Sequence, residues 1–167
     1  MPEAERIFIP GRVIIHHTAD SYTGDQLDKV NAWHKERFEM KSKRGFWVGY
    51  HYLIEKSGEV IQTRELDEEG AHTKGWNLSA IGVCLAGNFD LEYPAEKQMD
   101  SLKALFDSLF GRDKLRLTDI SFHREFKNTN CPGLHFTDEY LIRELLRRAS
   151  NIVTKLLLWA QLIALKR

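Results

Sequence analysis

The run Ala80-Ile81-Gly82-Val83-Cys84-Leu85-Ala86 constrains the fold more than any other stretch of this chain. It is apolar at almost every position and does not alternate. A strand with one wet face reads apolar-polar, whereas a continuous run asks for cover on both faces, so a sheet sheathed by helices is expected. The β-branched run Arg12–Thr18 reads as a second core strand. Between the two, Thr23-Gly24-Asp25-Gln26 offers a capping residue. Leu27, Val30 and Trp33 or His34 then fall at helical spacing, which predicts a helix over 24–38 with Trp33 in the core. Lys41–Trp47 reads as a basic loop.

Tyr50–Glu55 and Glu59–Arg64 flank Lys56-Ser57-Gly58 and predict a β-hairpin with glycine in the turn. Pro94 opens an amphipathic helix with Met99, Leu102, Leu105, Phe106 and Leu109 on one face, ended by Gly111. Asp119–Phe122 reads as a short strand leading to His123. Thr137 caps a last helix that runs on to the C-terminus. The order argues an α/β fold with a single mixed central β-sheet flanked by helices, and 167 residues suffice for one full core.

Formal net charge is zero, so no global attraction to nucleic acid is implied and none is expected as a partner. Met1–Arg6 is polar and lacks the apolar stretch of a secretory signal, so synthesis in the cytoplasm is expected. Of the two cysteines, Cys84 lies in the apolar run and reads as a small hydrophobe, while Cys131 lies in a polar loop beside Pro132-Gly133.

His123 and Cys131 stand eight positions apart, and the Pro-Gly turn suits a thiolate aimed from a tight loop. A surface histidine beside an incidental cysteine is one explanation. The other brings in His16, at the end of the first core strand, as a third donor. Two imidazoles and a thiolate would make a three-ligand zinc site, and such sites keep a position open for water. That arrangement belongs to hydrolytic chemistry.

Five stretches, in order along the chain, carry a family resemblance. They are Ile14-Ile15-His16-His17-Thr18-Ala19, Ala32-Trp33-His34-Lys35-Glu36, Val48–Ile54, Gly70–Gly87, and His123–Gly133. Over roughly residues 11–146 the chain resembles the type 2 N-acetylmuramoyl-L-alanine amidases, which include phage lysozymes, bacterial autolysins and peptidoglycan-recognition proteins. The resemblance implies Zn2+ held by His16, His123 and Cys131. It implies Tyr50 and Thr129 as catalytic donors, Thr129 standing where some phage members carry lysine. His17 adjoins the first ligand position, and strand alternation lets only one of the pair face a metal. His72, Lys74, Trp76 and Asn77 fall in the stretch that resembles the substrate groove wall. His51, following Tyr50, is expected in the core or behind the site, and His34 and His135 are expected to be structural.

The implied activity is hydrolysis of the amide between N-acetylmuramic acid and L-alanine of peptidoglycan. A phage or prophage endolysin is expected, reaching the wall after release or holin-assisted export. A peptidoglycan-binding module without turnover is the alternative. Residues 1–149 read as the amidase domain and 150–167 as a cationic, apolar helical extension. Arg143, Arg147, Arg148, Lys155, Lys166 and Arg167 make 143–167 basic. The extension could complete the core, mediate self-association or lie in an anionic membrane surface, as basic amphipathic helices with tryptophan do. Oligomeric state is left open.

Overall fold

A computed structural model describes residues 10–111, 116–149 and 152–165. Five strands form one mixed sheet in the order β3-β2-β4-β1-β5. They are β1 (Val13–His17), β2 (Tyr52–Ile54), β3 (Val60–Gln62), β4 (Ile81–Leu85) and β5 (Ile120–Phe122). β1 lies between β4 and β5 and is parallel to both; β2 is parallel to β4, and β3 closes the edge as the antiparallel arm of the hairpin. The helices are α1 (Leu27–Phe38), α2 (Glu96–Phe110), α3 (Asp138–Arg148) and α4 (Ile152–Leu165).

The two faces of the sheet have different tasks. Val13 and Ile15 of β1, Tyr52 and Ile54 of β2, and Ile81, Val83 and Leu85 of β4 point to one side. There they join Met99, Leu102 and Phe106 of α2 and Leu141, Ile142 and Leu145 of α3 in the main apolar core. The alternate residues occupy the other face: Ile14 beside Gly82, and His16 beside Cys84 and near Leu53. All of β4 is buried, as its unbroken apolar run requires. α2 matches its predicted face, with Met99, Leu102, Leu105 and Phe106 buried, and Gly111 ends it.

Three expectations change. Trp33 is 52% exposed, because α1 buries only Val30 and His34 and turns its remaining face outward. α1 begins at Leu27 without a side-chain cap of its own; the buried Glu55 carboxylate, following β2, accepts the backbone N–H groups of Gln26 and Leu27 at 2.8 and 2.9 Å. A distant residue thereby satisfies two of the orphan donors at this helix end.

The last helix also does not run on unbroken. Ala149 is extended and separates α3 from α4. The break folds α4 back against α3, so that Leu158 is buried in the main core and Leu162 packs partly against it. Ile152, Leu156, Leu157, Trp159 and Ile163 face outward. The basic residues of α3 stand in ion pairs. Arg143 pairs with Glu139, Arg147 with Glu96 and Glu144, and Arg148 with Glu96, Asp100 and Glu144. Lys155 is exposed, whereas Lys166 and Arg167 lie outside the described residues. Among the described residues no helix is long and apolar enough to cross a membrane.

Candidate metal centre

Parallel registry builds the centre of the site. Ile15 of β1 pairs with Phe122 of β5, so the next residues, His16 and His123, emerge side by side. Their ring centroids are 4.5 Å apart. After β5 the chain makes one 3-10 turn, His123–Glu125, and loops back through Cys131. Arg124 closes this loop: its backbone N–H donates to the Cys131 carbonyl at 2.9 Å, and its guanidinium donates to the carbonyls of Asn130, Gly133 and Phe136. Gly133 is required by close approach, since a Cβ there would lie 2.4 Å from the Phe89 carbonyl carbon. The result sets one donor atom each from His16, His123 and Cys131 within 4.8 Å of one another. His16 Nδ1 lies 3.8 Å from Cys131 Sγ.

His17 points away from this cluster. Its Nδ1 accepts the Phe89 backbone N–H at 3.1 Å on the opposite side of the strand. Strand alternation thus separates the two adjacent histidines in the expected sense.

Burial sets the protonation of the donors. Desolvation holds His16 well below the ordinary histidine value, helped by the neighbouring His72 and His123. His123 is also lowered by burial. Burial pushes the Cys131 thiol up to about 11. Without a cation the cluster is therefore neutral, with two imidazoles and a thiol turned toward a common point. This donor set fits zinc, which takes neutral imidazole nitrogens and thiolate sulfur, and uptake of the ion would release the Cys131 proton.

Tyr50 stands beside the cluster, its ring centroid 5.0 Å from that of His16 and 5.2 Å from that of His34. Burial raises its phenol well above the ordinary value, so it is a donor rather than a phenolate. The backbone carrying it is held at Gly49 from two sides. His34 Nδ1 of α1 accepts the Gly49 N–H at 2.8 Å, Ala71 N–H donates to the Gly49 carbonyl at 2.8 Å, and a Cβ on Gly49 would lie 2.4 Å from the Ala71 carbonyl oxygen. Thr129 Oγ1 accepts the Cys131 N–H at 3.3 Å and still carries its own proton.

The stretch expected to form the groove wall divides. Lys74 is exposed. Asn77 instead fixes the loop from within, its Oδ1 accepting the N–H groups of His72 and Thr73 at 3.0 and 2.8 Å. Trp76 packs on Phe126 at 4.9 Å under the Arg12 guanidinium, near the start of β1 and β4 rather than at the ends that carry His16 and His123. His72 turns inward, and both of its ring nitrogens find partners within the protein. His51 is structural as expected, with Nδ1 accepting the Gly82 N–H and Nε2 facing the Glu68 carbonyl at 3.0 Å each.

Arg64 is a further support that sequence reading passed over. It is 2% exposed and donates to the carbonyls of Val48, Glu69 and Met40 at 2.7, 3.1 and 2.5 Å. Nothing in the motif spacing marks it. The signal available was a lone arginine at the end of a hairpin arm, too common to single out.

The model of the family described as N-acetylmuramoyl-L-alanine amidase matches residues 9–134. The chain belongs to that family. Two kinds of relative are similar to it. The endolysin of Klebsiella phage KP32 is 33% identical over 130 residues, covering 73% of this chain and 80% of the endolysin. Peptidoglycan-recognition protein SC2 of Drosophila melanogaster is 29% identical over 133 residues, covering 75% of this chain and 70% of that protein. Among solved structures, the N-acetylmuramoyl-L-alanine amidase LysC from Clostridium intestinale URNW superposes with a TM-score of 0.68 at 32% identity, over 83% of this chain and 87% of that one. The fold of the family is thus the mixed sheet with flanking helices described above. Its match ends at residue 134 and so spans all three donors of the cluster.

Proposed function

We propose that this protein is a zinc-dependent peptidoglycan hydrolase that cleaves the amide between N-acetylmuramic acid and L-alanine, and that it serves a phage or prophage as an endolysin. The observation that carries the proposal is the convergence of His16, His123 and Cys131 donor atoms within 4.8 Å, with Tyr50 packed on His16. Zinc held by these three residues would supply Lewis acidity toward the scissile carbonyl and a water nucleophile near neutral pH. Cys131 would give up its proton on ligation. Tyr50, kept protonated by burial, donates a hydrogen bond where negative charge develops on the carbonyl oxygen. Thr129 adds a second, neutral donor beside Cys131. Lys74 is the groove residue left to meet the stem peptide or glycan. The endolysin reading rests on the phage relative, and it places the action at the cell wall after release or holin-assisted export.

Digestion of purified cell wall tests the activity. New L-alanine amino termini without new reducing sugars are expected, and reducing ends with intact amides would overturn the proposal. The peptidoglycan-recognition relatives motivate a second reading, a binding module without turnover. Metal analysis separates the two. One zinc per chain whose removal by chelator abolishes turnover supports the enzyme, whereas muropeptide binding with neither zinc nor turnover supports the module.

A further inference from the structure

Only one nitrogen of His16 faces the donor cluster, and the partners of the other nitrogen define a role for His72. His16 Nδ1 is the atom 3.8 Å from Cys131 Sγ. A nitrogen that ligates must present a lone pair, so the proton of a neutral His16 belongs on Nε2. That Nε2 lies 3.1 Å from His72 Nδ1 and 3.3 Å from Thr73 Oγ1. On the far side of the His72 ring, Nε2 lies 3.3 Å from the carbonyl oxygen of Ala80, which can only accept. His72 therefore carries its proton on Nε2 and presents a lone pair at Nδ1. Thr73 Oγ1 is 3.0 Å from that same Nδ1. A hydroxyl both accepts and donates, so the indirect route from His16 through Thr73 ends on the same lone pair as the direct one.

We propose that His72 is a positioning residue for the metal centre: it accepts from His16 Nε2–H, directly or through Thr73, and so turns the His16 Nδ1 lone pair toward His123 and Cys131. This proposal rests on the metal-centre reading above. The fold makes room for the ring at two glycines. A Cβ on Gly82 of β4 would lie 2.6 Å from His72 Cγ and Cδ2, and one on Gly70 would lie 2.5 Å from Cδ2. Any side chain at either position would displace the ring from His16. Asn77 holds the His72-Thr73 backbone in place, so three separate features of the chain converge on this one contact.

The test is zinc affinity of the full chain, measured by competition with a chromophoric chelator, together with the visible spectrum of the cobalt-substituted protein. His72→Leu removes the acceptor and should weaken zinc binding by about 10- to 100-fold, the usual effect of losing a partner to a ligating histidine. The cobalt bands should shift, which a general loss of stability would not cause. His72→Asn, whose Oδ1 comes near the place of Nδ1, should restore most of the affinity. His72→Leu that folds and binds zinc as tightly as the wild type overturns the proposal and leaves the metal-centre reading standing. A wild-type protein that takes up no zinc overturns both. Should His72→Leu fail to fold, nitrogen-15 NMR of the zinc-loaded wild type decides: Nε2–H on both His16 and His72 is expected, and Nδ1–H on His72 refutes the assignment.

Discussion

Replacing Arg64 by methionine should unfold the support beneath Tyr50 while leaving every candidate ligand in place. The guanidinium is 2% exposed and is the donor to three backbone carbonyls, those of Val48, Glu69 and Met40. Burial lowers its pKa, with Glu68 and Glu69 partly offsetting that. Methionine keeps an unbranched apolar stem and removes every donor. A buried carbonyl left without a partner costs about 1–3 kcal/mol, so three of them cost about 3–9 kcal/mol. Relief from burying a cation offsets several kcal/mol of this, since the desolvation of a buried charge is of that order. A net loss of about 1–5 kcal/mol follows, a large share of the roughly 5–15 kcal/mol that holds a domain of this size. Urea unfolding of the metal-free protein, followed by far-ultraviolet circular dichroism, measures it. Arg64→Lys should fall between, because one ammonium cannot span carbonyls that a planar fork reaches at once. If Arg64→Met lies within about 1 kcal/mol of wild type, the three hydrogen bonds are not what holds this loop, and the reasoning fails.

The adjacent histidines should separate cleanly: His16→Ala should lose bound zinc, whereas His17→Ala should retain it at reduced stability, and the reverse result in metal analysis would invert the assignment of strand faces. His34 is held near about 4, against an ordinary 6.5, by burial first and then by Arg64 and Arg37. The unfolded chain therefore binds more protons in that interval, so the His34 contribution is complete above about pH 6.5 and is lost as pH falls toward about 4. His34→Asn keeps an acceptor for Gly49 N–H and should flatten the dependence of urea midpoint on pH across that window; an unchanged slope would discount His34. On α4, Leu158→Ala should cost about 2–5 kcal/mol while the exposed Leu157→Ala stays within about 0.5 kcal/mol. Equal effects would mean that α4 does not complete the core. Vesicle binding by the outward face of α4 is read from Trp159 fluorescence on anionic liposomes, and indifference there excludes a membrane role.

The apolar run of β4, the β-branched run of β1 and the amphipathic face of α2 were legible in the sequence, because burial on two faces or one leaves a periodic trace along the chain. His16, His123 and Cys131 could be named as candidates from their types and placement, and the fold brings their donor atoms within 4.8 Å. The failures have a common cause. Trp33 reads as core by spacing, but exposure depends on what packs against α1, and only Val30 and His34 find cover. Glu55 caps a helix 28 residues away, Arg64 ties three loop segments, and His72 completes a contact with a strand 56 residues distant. None of these contacts leaves a local pattern, even where, as for His72, the residue itself stands in a recognisable stretch. The tail shows the division most plainly. Its hydrophobicity is written in residues 152–165, yet only the packing of α4 on α3 decides that Leu158 goes inward and Trp159 outward. The sequence alone determined which segments must be covered and which residue types could hold a metal. Tertiary structure decided which donor meets which acceptor, because hydrogen-bond direction and ring tautomer depend on atoms brought together from distant parts of the chain.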